Sequence, residues 1–166
     1  MKMNKVLIIG ISGTGKTKLA RTLSDFLKIP ITHYDTLVWG ESWNEVDEKK
    51  VEKQLNEVVK RERWIIEGFI HPAAKIKLEN ADTVIYLDYS GLQAMIGGLQ
   101  RWWQHRGKTR PEMAVGCIEE FNWDFLKVMW KRGERPEIEE AIKDFVDKIV
   151  RLKTRKETDN FLSKQF

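Results

Sequence analysis

A glycine-rich segment near the start of the sequence has the residue types needed to bind a phosphate group. It reads Gly-Ile-Ser-Gly-Thr-Gly-Lys-Thr over residues 10–17 and fits the pattern G-x-x-x-x-G-K-[ST] at every fixed position. Glycines let consecutive backbone N–H groups turn inward toward an anion, since they carry no Cβ. A helix that begins near Lys16 would add its N-terminal N–H groups and dipole. The segment therefore predicts a binding loop for a nucleoside triphosphate.

Separate tasks are expected for the residues of this loop. Lys16 can reach the β- and γ-phosphates as a point charge, and the Thr17 hydroxyl suits a Mg²⁺ ion. The residues expected to hold the nucleotide are Gly10, Ser12, Gly13, Thr14, Gly15, Lys16, Thr17 and Lys18. The alternative is a glycine-rich turn that only joins a strand to a helix. The position of the segment, directly after an apolar run and before an amphipathic one, favours nucleotide binding.

Three acidic residues stand just past the ends of predicted strands: Asp35, Glu67 and Asp88. The carboxyl ends of the strands form the ligand crevice in an open parallel sheet, so we expect these side chains to face the phosphate-binding loop. Glu67 could hold Mg²⁺ together with Thr17, and Asp35 could orient an acceptor hydroxyl or accept its proton. Turn formation or helix capping is the alternative role for an acid at a strand end.

A basic segment, RWWQHRGKTR over residues 101–110, contains no acidic residue. Arg101, Arg106 and Arg110 could stabilise the charge that develops during phosphoryl transfer, as part of a flap that closes over the nucleotide. A solvated charged surface is the alternative. Basic residues beside Trp102 and Trp103 are also typical of nucleic-acid surfaces, which keeps DNA open as a partner.

The elements that must position these residues alternate along the chain. Strands are predicted near 2–9, 31–34, 64–66, 83–87 and 148–152, and helices over 16–28, 45–61, 92–105, 117–130, 136–145 and 157–166. Alternating strands and helices imply a parallel sheet covered on both faces. No linker or composition change divides the chain, so residues 1–166 are expected to form one α/β domain.

Composition excludes several classes of protein. The 166 residues are 42% hydrophobic and 33% charged, with a net charge of +4, which fits an ordinary globular domain and argues against an extensive DNA footprint. A single cysteine rules out an internal disulfide, and the three histidines lack metal-ligand spacing. The longest early apolar run, residues 6–9, is too short to cross a membrane. We expect a cytoplasmic protein without a membrane partner.

An ordered set of motifs resembles the adenylate-kinase-related P-loop proteins labelled topology modulation proteins. The motifs are GxxxxGKT over 10–17, Asp35-x-Leu37-x-Trp39, Trp64-Ile-Ile-Glu-Gly68, Ala81 to Asp88, Arg106-Gly-Lys-Thr-Arg110-Pro-Glu-Met113, Gly116-Cys117-x-Glu119-x-Phe121 and Arg151-Leu-x-Thr-Arg155. Together they cover nearly the whole sequence, which makes the set more specific than the phosphate-binding loop alone.

The resemblance implies a P-loop NTPase fold with a nucleoside-monophosphate-kinase-like core, in which five parallel strands in the order 2-3-1-4-5 are flanked by helices. It implies ATP and Mg²⁺ as cofactors, an acceptor-side insertion over about 35–62 and a lid-like segment over about 97–132. It also places the adenine near Thr154 and Arg155, which adds Arg155 to the nucleotide-binding residues. Where such relatives commonly carry arginines, this chain has Lys77 and Gly97.

These observations lead to one main expectation and two alternatives. We expect an ATP-dependent kinase that transfers the γ-phosphoryl group to a small acceptor such as a nucleoside, a nucleotide or a related metabolite. Its catalytic residues would be Lys16, Asp35, Arg101, Arg106 and Arg110, with Thr17 and Glu67 as metal ligands. The alternatives are a nucleotide-regulated DNA-binding protein and an ATP-binding protein with degenerate kinase activity. The protein is expected to be a monomer or a homodimer.

Overall fold

Five parallel strands form one sheet with helices on both faces. The computed structural model describes residues 3–71 and 73–165. The strands are β1 (Lys5–Gly10), β2 (Ile31–His33), β3 (Trp64–Glu67), β4 (Thr83–Leu87) and β5 (Ile149–Leu152). Their order in the sheet is β2-β3-β1-β4-β5, and every neighbouring pair is parallel. The α/β fold class and the strand order implied by the resemblance are confirmed.

Within residues 3–71 and 73–165, eight α-helices connect and cover the strands. They are α1 (Lys16–Leu27), α2 (Asp35–Val38), α3 (Glu48–Val59), α4 (Ala74–Asn80), α5 (Gly91–His105), α6 (Trp123–Lys131), α7 (Arg135–Ile142) and α8 (Arg155–Gln165). Short 3₁₀ helices lie at Glu41–Trp43 and Val146–Lys148. Asp47 caps α3 by accepting from the Lys50 N–H, and a Ser90–Gln93 capping box starts α5. No described helix is both long enough and apolar enough to cross a bilayer.

Two apolar layers hold the helices against the sheet. Successive side chains of a strand point to opposite faces, and β1 shows this directly. Leu7 and Ile9 pack into the layer that contains residues of α3 and α7, whereas Val6 and Ile8 pack with residues of α1. All four side chains are almost completely buried. This double coverage fixes β1 as the rigid base from which the glycine-rich loop emerges.

Residues 106–122 form an irregular segment, where the sequence predicts the start of a helix. The helix predicted over 117–130 begins only at Trp123, whose preceding residue Asn122 caps it through the Phe125 N–H. Upstream of the cap, Ile118 forms an antiparallel bridge with Thr109, and Glu119 forms a parallel bridge with Arg106. The helix prediction for 117–122 is therefore wrong, because pairing with residues 106–109 outweighs the local apolar spacing.

Two other predicted elements have bounds close to those in the structure. The predicted helix over 45–61 is α3 preceded by its cap, and the predicted strand over 31–34 is β2. Residues 2 and 166, at the ends of the first predicted strand and the last predicted helix, lie outside the described part of the chain. The predicted acceptor-side insertion over 35–62 contains α2 and α3, and the predicted lid-like segment over 97–132 runs from the middle of α5 through α6. Their functional labels stay predictions.

Candidate active site

A cleft of about 590 Å³ lies at the carboxyl edge of the sheet. Its walls come from the glycine-rich loop, the first turns of α1, the lid-side half of α5, the irregular segment and α8. The predicted site residues that line it are Ser12, Gly13, Thr14, Gly15, Lys16, Thr17, Lys18, Asp35, Glu67, Arg101, Arg110 and Arg155. Gly10 and Arg106 are not among the lining residues. The fold thus collects most of the predicted residues in one cavity.

Three glycines shape the loop between β1 and α1. Gly10, Gly13 and Gly15 have φ angles of 154°, 83° and 87°, all in a region that side-chain-bearing residues rarely adopt. Gly15 is the N-cap of α1, and no side chain satisfies the first N–H groups of that helix. Free N–H groups at a helix start attract an anion. The loop geometry therefore fits the predicted phosphate-binding function.

The Lys16 side chain folds back over the loop. Its ammonium donates to the carbonyl oxygens of Gly10, at 2.8 Å, and of Ile11, at 3.2 Å. These contacts keep the positive charge at the mouth of the loop. A phosphate oxygen is a stronger acceptor than a backbone carbonyl for an ammonium group, so a polyphosphate in the cleft would compete for the same protons.

A hydroxyl and a carboxylate meet below the loop. Thr17 Oγ1 donates to Glu67 Oε1 at 3.1 Å, and Glu67 is only 5% exposed. The same carboxylate oxygen lies 2.6 Å from His33 Nδ1. Oxygen ligands of this kind are those that Mg²⁺ prefers. The donor set therefore fits the predicted magnesium ligands, and His33 is a neighbour of Glu67 that the sequence analysis did not single out.

Asp35 lines the cleft at the first position of α2. The residue before it, Tyr34, is buried, and its N–H donates to the Glu67 carbonyl at 2.8 Å. This bond ties the end of β2 to the end of β3. Gly68, with a φ of 143°, approaches the Asp35 carboxylate so closely that a Cβ at this glycine would lie 3.1 Å from Asp35 Oδ1. The two acids Asp35 and Glu67 are thus held side by side by the backbone.

Arg101 and Arg110 reach the cleft from the lid side, and both contact one carboxylate. Arg101 Nε lies 2.7 Å from Glu119 Oε1, and Arg110 Nε lies 2.9 Å from Glu119 Oε2. Burial lowers the pKa of the Arg110 guanidinium, and the nearby positive charge of Arg101 lowers it further. Two partly buried cations therefore line the cleft and share one buried anion.

Arg106 takes a different position from the other two predicted arginines. It is exposed, and its guanidinium carbon lies 4.3 Å from the centre of the Trp103 ring. Trp103 is itself 64% exposed on α5. The structure does not bring Arg106 to the cleft, so its catalytic role stays a prediction without geometric support.

A direct backbone contact between α5 and the loop explains the glycine at position 97. A Cβ at Gly97 would lie 2.0 Å from the Gly13 carbonyl oxygen, and a Cβ at Gly13 would lie 2.1 Å from the Ala94 carbonyl oxygen. Neither distance is possible for real atoms, so no side chain fits at either residue. Position 97, for which the resemblance leads us to expect an arginine, is the point at which α5 touches the glycine-rich loop.

Lys77, the other departure, is completely buried in α4 and does not line the cleft. Its ammonium donates to the Phe69 carbonyl at 2.8 Å and lies 3.4 Å from the centre of the Tyr34 ring. Burial lowers the pKa of Lys77 to about 7, although the Asp35 carboxylate opposes the shift. Lys77 therefore braces the segments that follow β2 and β3 rather than meeting a ligand.

The amide of Ser12 already has a partner from a distant part of the chain. The Glu134 carboxylate accepts from Ser12 N–H at 2.6 Å and from Ser12 Oγ–H at 2.9 Å. Glu134 is not among the residues that line the cleft. It contacts the loop residue without being part of the cavity wall, and the sequence analysis did not identify it.

Asp88 does not face the cleft, contrary to the expectation from its place after β4. It accepts instead from three arginines: Arg132, Arg135 with Nε at 3.2 Å, and Arg151 with Nη1 at 3.0 Å. Burial alone would raise the pKa of Asp88, but the arginines hold it below the ordinary value. The prediction that all three strand-end acids face the loop is wrong for Asp88, because arginines from the last part of the chain claim its carboxylate.

An ion pair joins the irregular segment to α1. Glu112, 8% exposed, pairs with Arg21, and both line the cleft. Neither this pair nor Glu119 is predicted from the sequence, although both acids belong to motifs of the resemblance. Among residues 3–71 and 73–165, no group of three or more His, Cys, Asp or Glu side chains has the arrangement of a metal site. A magnesium ion here would therefore rely on Thr17, Glu67 and the nucleotide itself.

Known structures share this architecture. No protein-family model matches the sequence. A gluconokinase from Sinorhizobium meliloti 1021 is similar, with a TM-score of 0.56 and 13% identity, over 98% of this chain and 93% of that chain. A shikimate kinase from Acinetobacter baumannii in complex with shikimate has a TM-score of 0.56 and 21% identity, over 99% and 91%. A deoxyadenosine kinase from M. mycoides has a TM-score of 0.51 and 16% identity, over 96% and 97%. At these identities the likeness shows that the chain has the fold of P-loop kinases.

Proposed function

We propose that the protein is an ATP-dependent kinase that transfers the γ-phosphoryl group to a hydroxyl of a small acceptor. The observation that carries the proposal is the shared cleft: the glycine-rich loop, the Thr17–Glu67 pair, Asp35 and two lid-side arginines all line one cavity. Phosphoryl transfer requires mainly positioning and charge stabilisation, and these residues supply both. The fold of small-metabolite kinases supports the same reading.

The loop binds the polyphosphate. Its N–H groups and the start of α1 surround the β-phosphate, and Lys16 exchanges its carbonyl contacts for phosphate oxygens. Arg155 also lines the cleft, with Nη2 3.5 Å from Gln100 Oε1, and the family resemblance assigns this residue to the adenine.

Thr17 and Glu67 would hold Mg²⁺, since their oxygens lie side by side beneath the loop. When bound, the ion would neutralise negative charge on the β- and γ-phosphates. His33 keeps the Glu67 carboxylate oriented through its 2.6 Å contact. The Glu67 oxygen not engaged by Thr17 and His33 is also available for a ligand.

The acceptor hydroxyl binds near Asp35, which orients it and takes its proton as the new bond to the γ-phosphorus forms; the bond from that phosphorus to the β–γ bridging oxygen breaks, and ADP leaves. Arg101 and Arg110 compensate the negative charge on the transferred group from the opposite wall. The structural relatives named above include kinases for gluconate, shikimate and deoxyadenosine, so the acceptor class stays broad: a nucleoside, a nucleotide or a related hydroxyl metabolite. As part of this proposal, the protein is a relative of the topology modulation proteins, whose motifs its sequence resembles.

Labelled ATP tests the proposal directly. Transfer of the γ-phosphoryl label to a panel of nucleosides, nucleotides and small metabolites is expected to give one labelled product class. Lys16→Ala should lose that transfer and bind ATP much more weakly, because the loop then lacks its cation. Lys49→Ala, an exposed lysine of α3, is the matched control and should behave as wild type. Undiminished transfer in Lys16→Ala would remove the loop from the mechanism.

A further inference from the structure

Glu119 is a buried acid that contacts two arginines of the cleft wall, and the proposed function has not yet used it. Only 6% of its surface is exposed, and its two carboxylate oxygens contact two different arginines. Arg101 comes from α5, whereas Arg110 comes from the irregular segment that follows it. One carboxylate therefore links two separately positioned cations, and both cations line the cleft.

The ion pairs with Glu119 do not involve the terminal guanidinium nitrogens of either arginine. Arg101 Nε donates a hydrogen bond to one Glu119 oxygen at 2.7 Å, whereas Arg110 Nε lies 2.9 Å from the other oxygen as an ion pair without hydrogen-bond geometry. A guanidinium bound at Nε keeps its two terminal nitrogens for another acceptor, and their fork matches the oxygens of a phosphoryl group. The arrangement orients the arginines without consuming their ability to bind a phosphate.

Charge explains why the acid is needed. Burial disfavours the positive charge of Arg110, and the nearby charge of Arg101 disfavours it further. Glu119 supplies one negative charge between them. The three groups together keep one net positive charge, which suits a wall that must meet a polyphosphate but also stay folded without one.

The backbone of Glu119 is fixed as firmly as its side chain. Its N–H donates to the Lys108 carbonyl at 3.0 Å, and its carbonyl accepts from the Gly107 N–H at 3.2 Å. These bonds lock Glu119 to the turn that lies between the two arginines in sequence. The carboxylate therefore has a defined origin from which to orient both guanidinium groups.

We propose that Glu119 is the positioning residue of the reaction, which holds Arg101 and Arg110 so that their terminal nitrogens meet the phosphoryl group in transit. The proposal rests on the proposed kinase function and deepens it. Glu119 itself touches no substrate; it acts through the two arginines. A role limited to fastening the irregular segment would stabilise the fold but would leave the transition state unaffected.

Glu119→Gln separates these roles, since it removes the charge and preserves the shape. The probes are ADP alone and ADP with aluminium fluoride, a planar mimic of the transferred group. ADP affinity should stay within about twofold of wild type, whereas the affinity gained from aluminium fluoride and the turnover of labelled ATP should each fall about a hundredfold. If only the thermal unfolding temperature falls, with both readouts unchanged, Glu119 is a structural fastener and the proposal is overturned.

A double-mutant cycle tests whether Glu119 acts through the arginines. In a background of Arg101→Ala and Arg110→Ala, adding Glu119→Gln should cost no further affinity for ADP with aluminium fluoride, because nothing is left to position. A further loss as large as in wild type would contradict the proposal. Glu119→Asp keeps a carboxylate and should recover part of the lost affinity, and it carries the test if Glu119→Gln does not fold.

Controls distinguish this proposal from the one on which it rests. Glu120→Gln changes the neighbouring exposed acid and should match wild type in every readout. If the proposed function fails, wild type itself shows no ATP turnover and no gain from aluminium fluoride. If only the role of Glu119 fails, wild type shows both and Glu119→Gln retains them.

Discussion

The protein contains two clusters in which arginines surround a buried carboxylate, and they lie in different relations to the cleft. Asp88 binds Arg132, Arg135 and Arg151 behind the carboxyl end of β4, and none of these lines the cleft. Glu119 binds two arginines that both line it. The same chemical pairing thus occurs once as part of the scaffold and once in the wall of the candidate site.

The Asp88 cluster differs from the Glu119 cluster in that it contains a second acid. In the Asp88 cluster, Glu139 pairs with Arg151 through two contacts of 2.8 Å and with Arg135 through one more. These contacts close the network on itself and join β4, β5 and α7. The Glu119 cluster has no second acid within its described ion pairs, so its arginines keep capacity for an anionic ligand. The Asp88 cluster is therefore suited to stabilise the fold, whereas the Glu119 cluster is suited to bind an anion in the cleft.

Asp88→Asn should give the largest effect on stability, a loss of about 2 kcal/mol, because the buried acid is removed from among three cations. The arginines are roughly one-third exposed, which limits the loss below that of a fully buried pair. Urea denaturation measures it. Phosphoryl transfer by the folded variant should match wild type. A hundredfold loss of transfer at unchanged stability would break the comparison, since Asp88 would then belong to the site.

The sequence predicts the Asp35 and Glu67 half of the site because sheet topology alone brings those residues to the loop. Residues 10–17 of the glycine-rich loop are contiguous, so local geometry is enough to predict their arrangement. The acids that contact Arg101 and Ser12 could not be predicted in the same way: Glu119 and Arg101 are 18 positions apart, and Ser12 and Glu134 are 122 apart. Nothing local to these acids tells which cation or amide each will meet.

The failure over residues 117–122 has the same origin. Cys117, Ile118 and Phe121 have apolar spacing that is compatible with a helix, yet Ile118 pairs with Thr109 across a turn. Asp88 shows the converse: the strand-end rule placed it correctly at the carboxyl edge, but long-range arginines turned it away from the ligand side. Backbone topology is predictable from periodicity, whereas partner choice among charged side chains depends on the assembled fold.

Lys77 offers a smaller test, since it is a buried cation held without a carboxylate contact. Its pKa is lowered to about 7 by burial, whereas the unfolded chain keeps the ordinary value of 10.5. The unfolded state therefore binds more protons between these values, and stability should rise with pH above about 7, by on the order of 1 kcal/mol over the first pH unit. Arginine clusters stay charged throughout this range and should add no such slope.

Denaturation of Lys77→Met across pH 7 to 9 should show the slope flattened. Lys75→Met, which changes an exposed lysine of the same helix, should keep the slope of wild type. An unchanged slope in Lys77→Met would mean that another group titrates, and the contrast between the buried lysine and the arginine clusters would lose its basis.

The smallest expected effect tests whether the segment that holds the Asp88 cluster also influences ATP binding in the cleft. Residues 132–135 bring Arg132 and Arg135 to Asp88, and the same short segment brings Glu134 to Ser12. Glu134→Ala removes the acceptor for the Ser12 N–H and hydroxyl, which should loosen the loop and weaken ATP binding about threefold. Calorimetric titration with ATP measures the change, and Glu137→Ala, an exposed acid of α7, is the control.

The direction of that small change decides what Glu134 does. A carboxylate that braces the loop from outside the cavity pre-organises Ser12, so its removal costs affinity. A carboxylate that competes with phosphate for the Ser12 N–H would have the opposite effect, because its removal frees a donor and lifts a repulsion between like charges. Tighter ATP binding by Glu134→Ala would therefore show that Glu134 competes with phosphate rather than bracing the loop. It would also connect the segment that holds the Asp88 cluster to nucleotide binding.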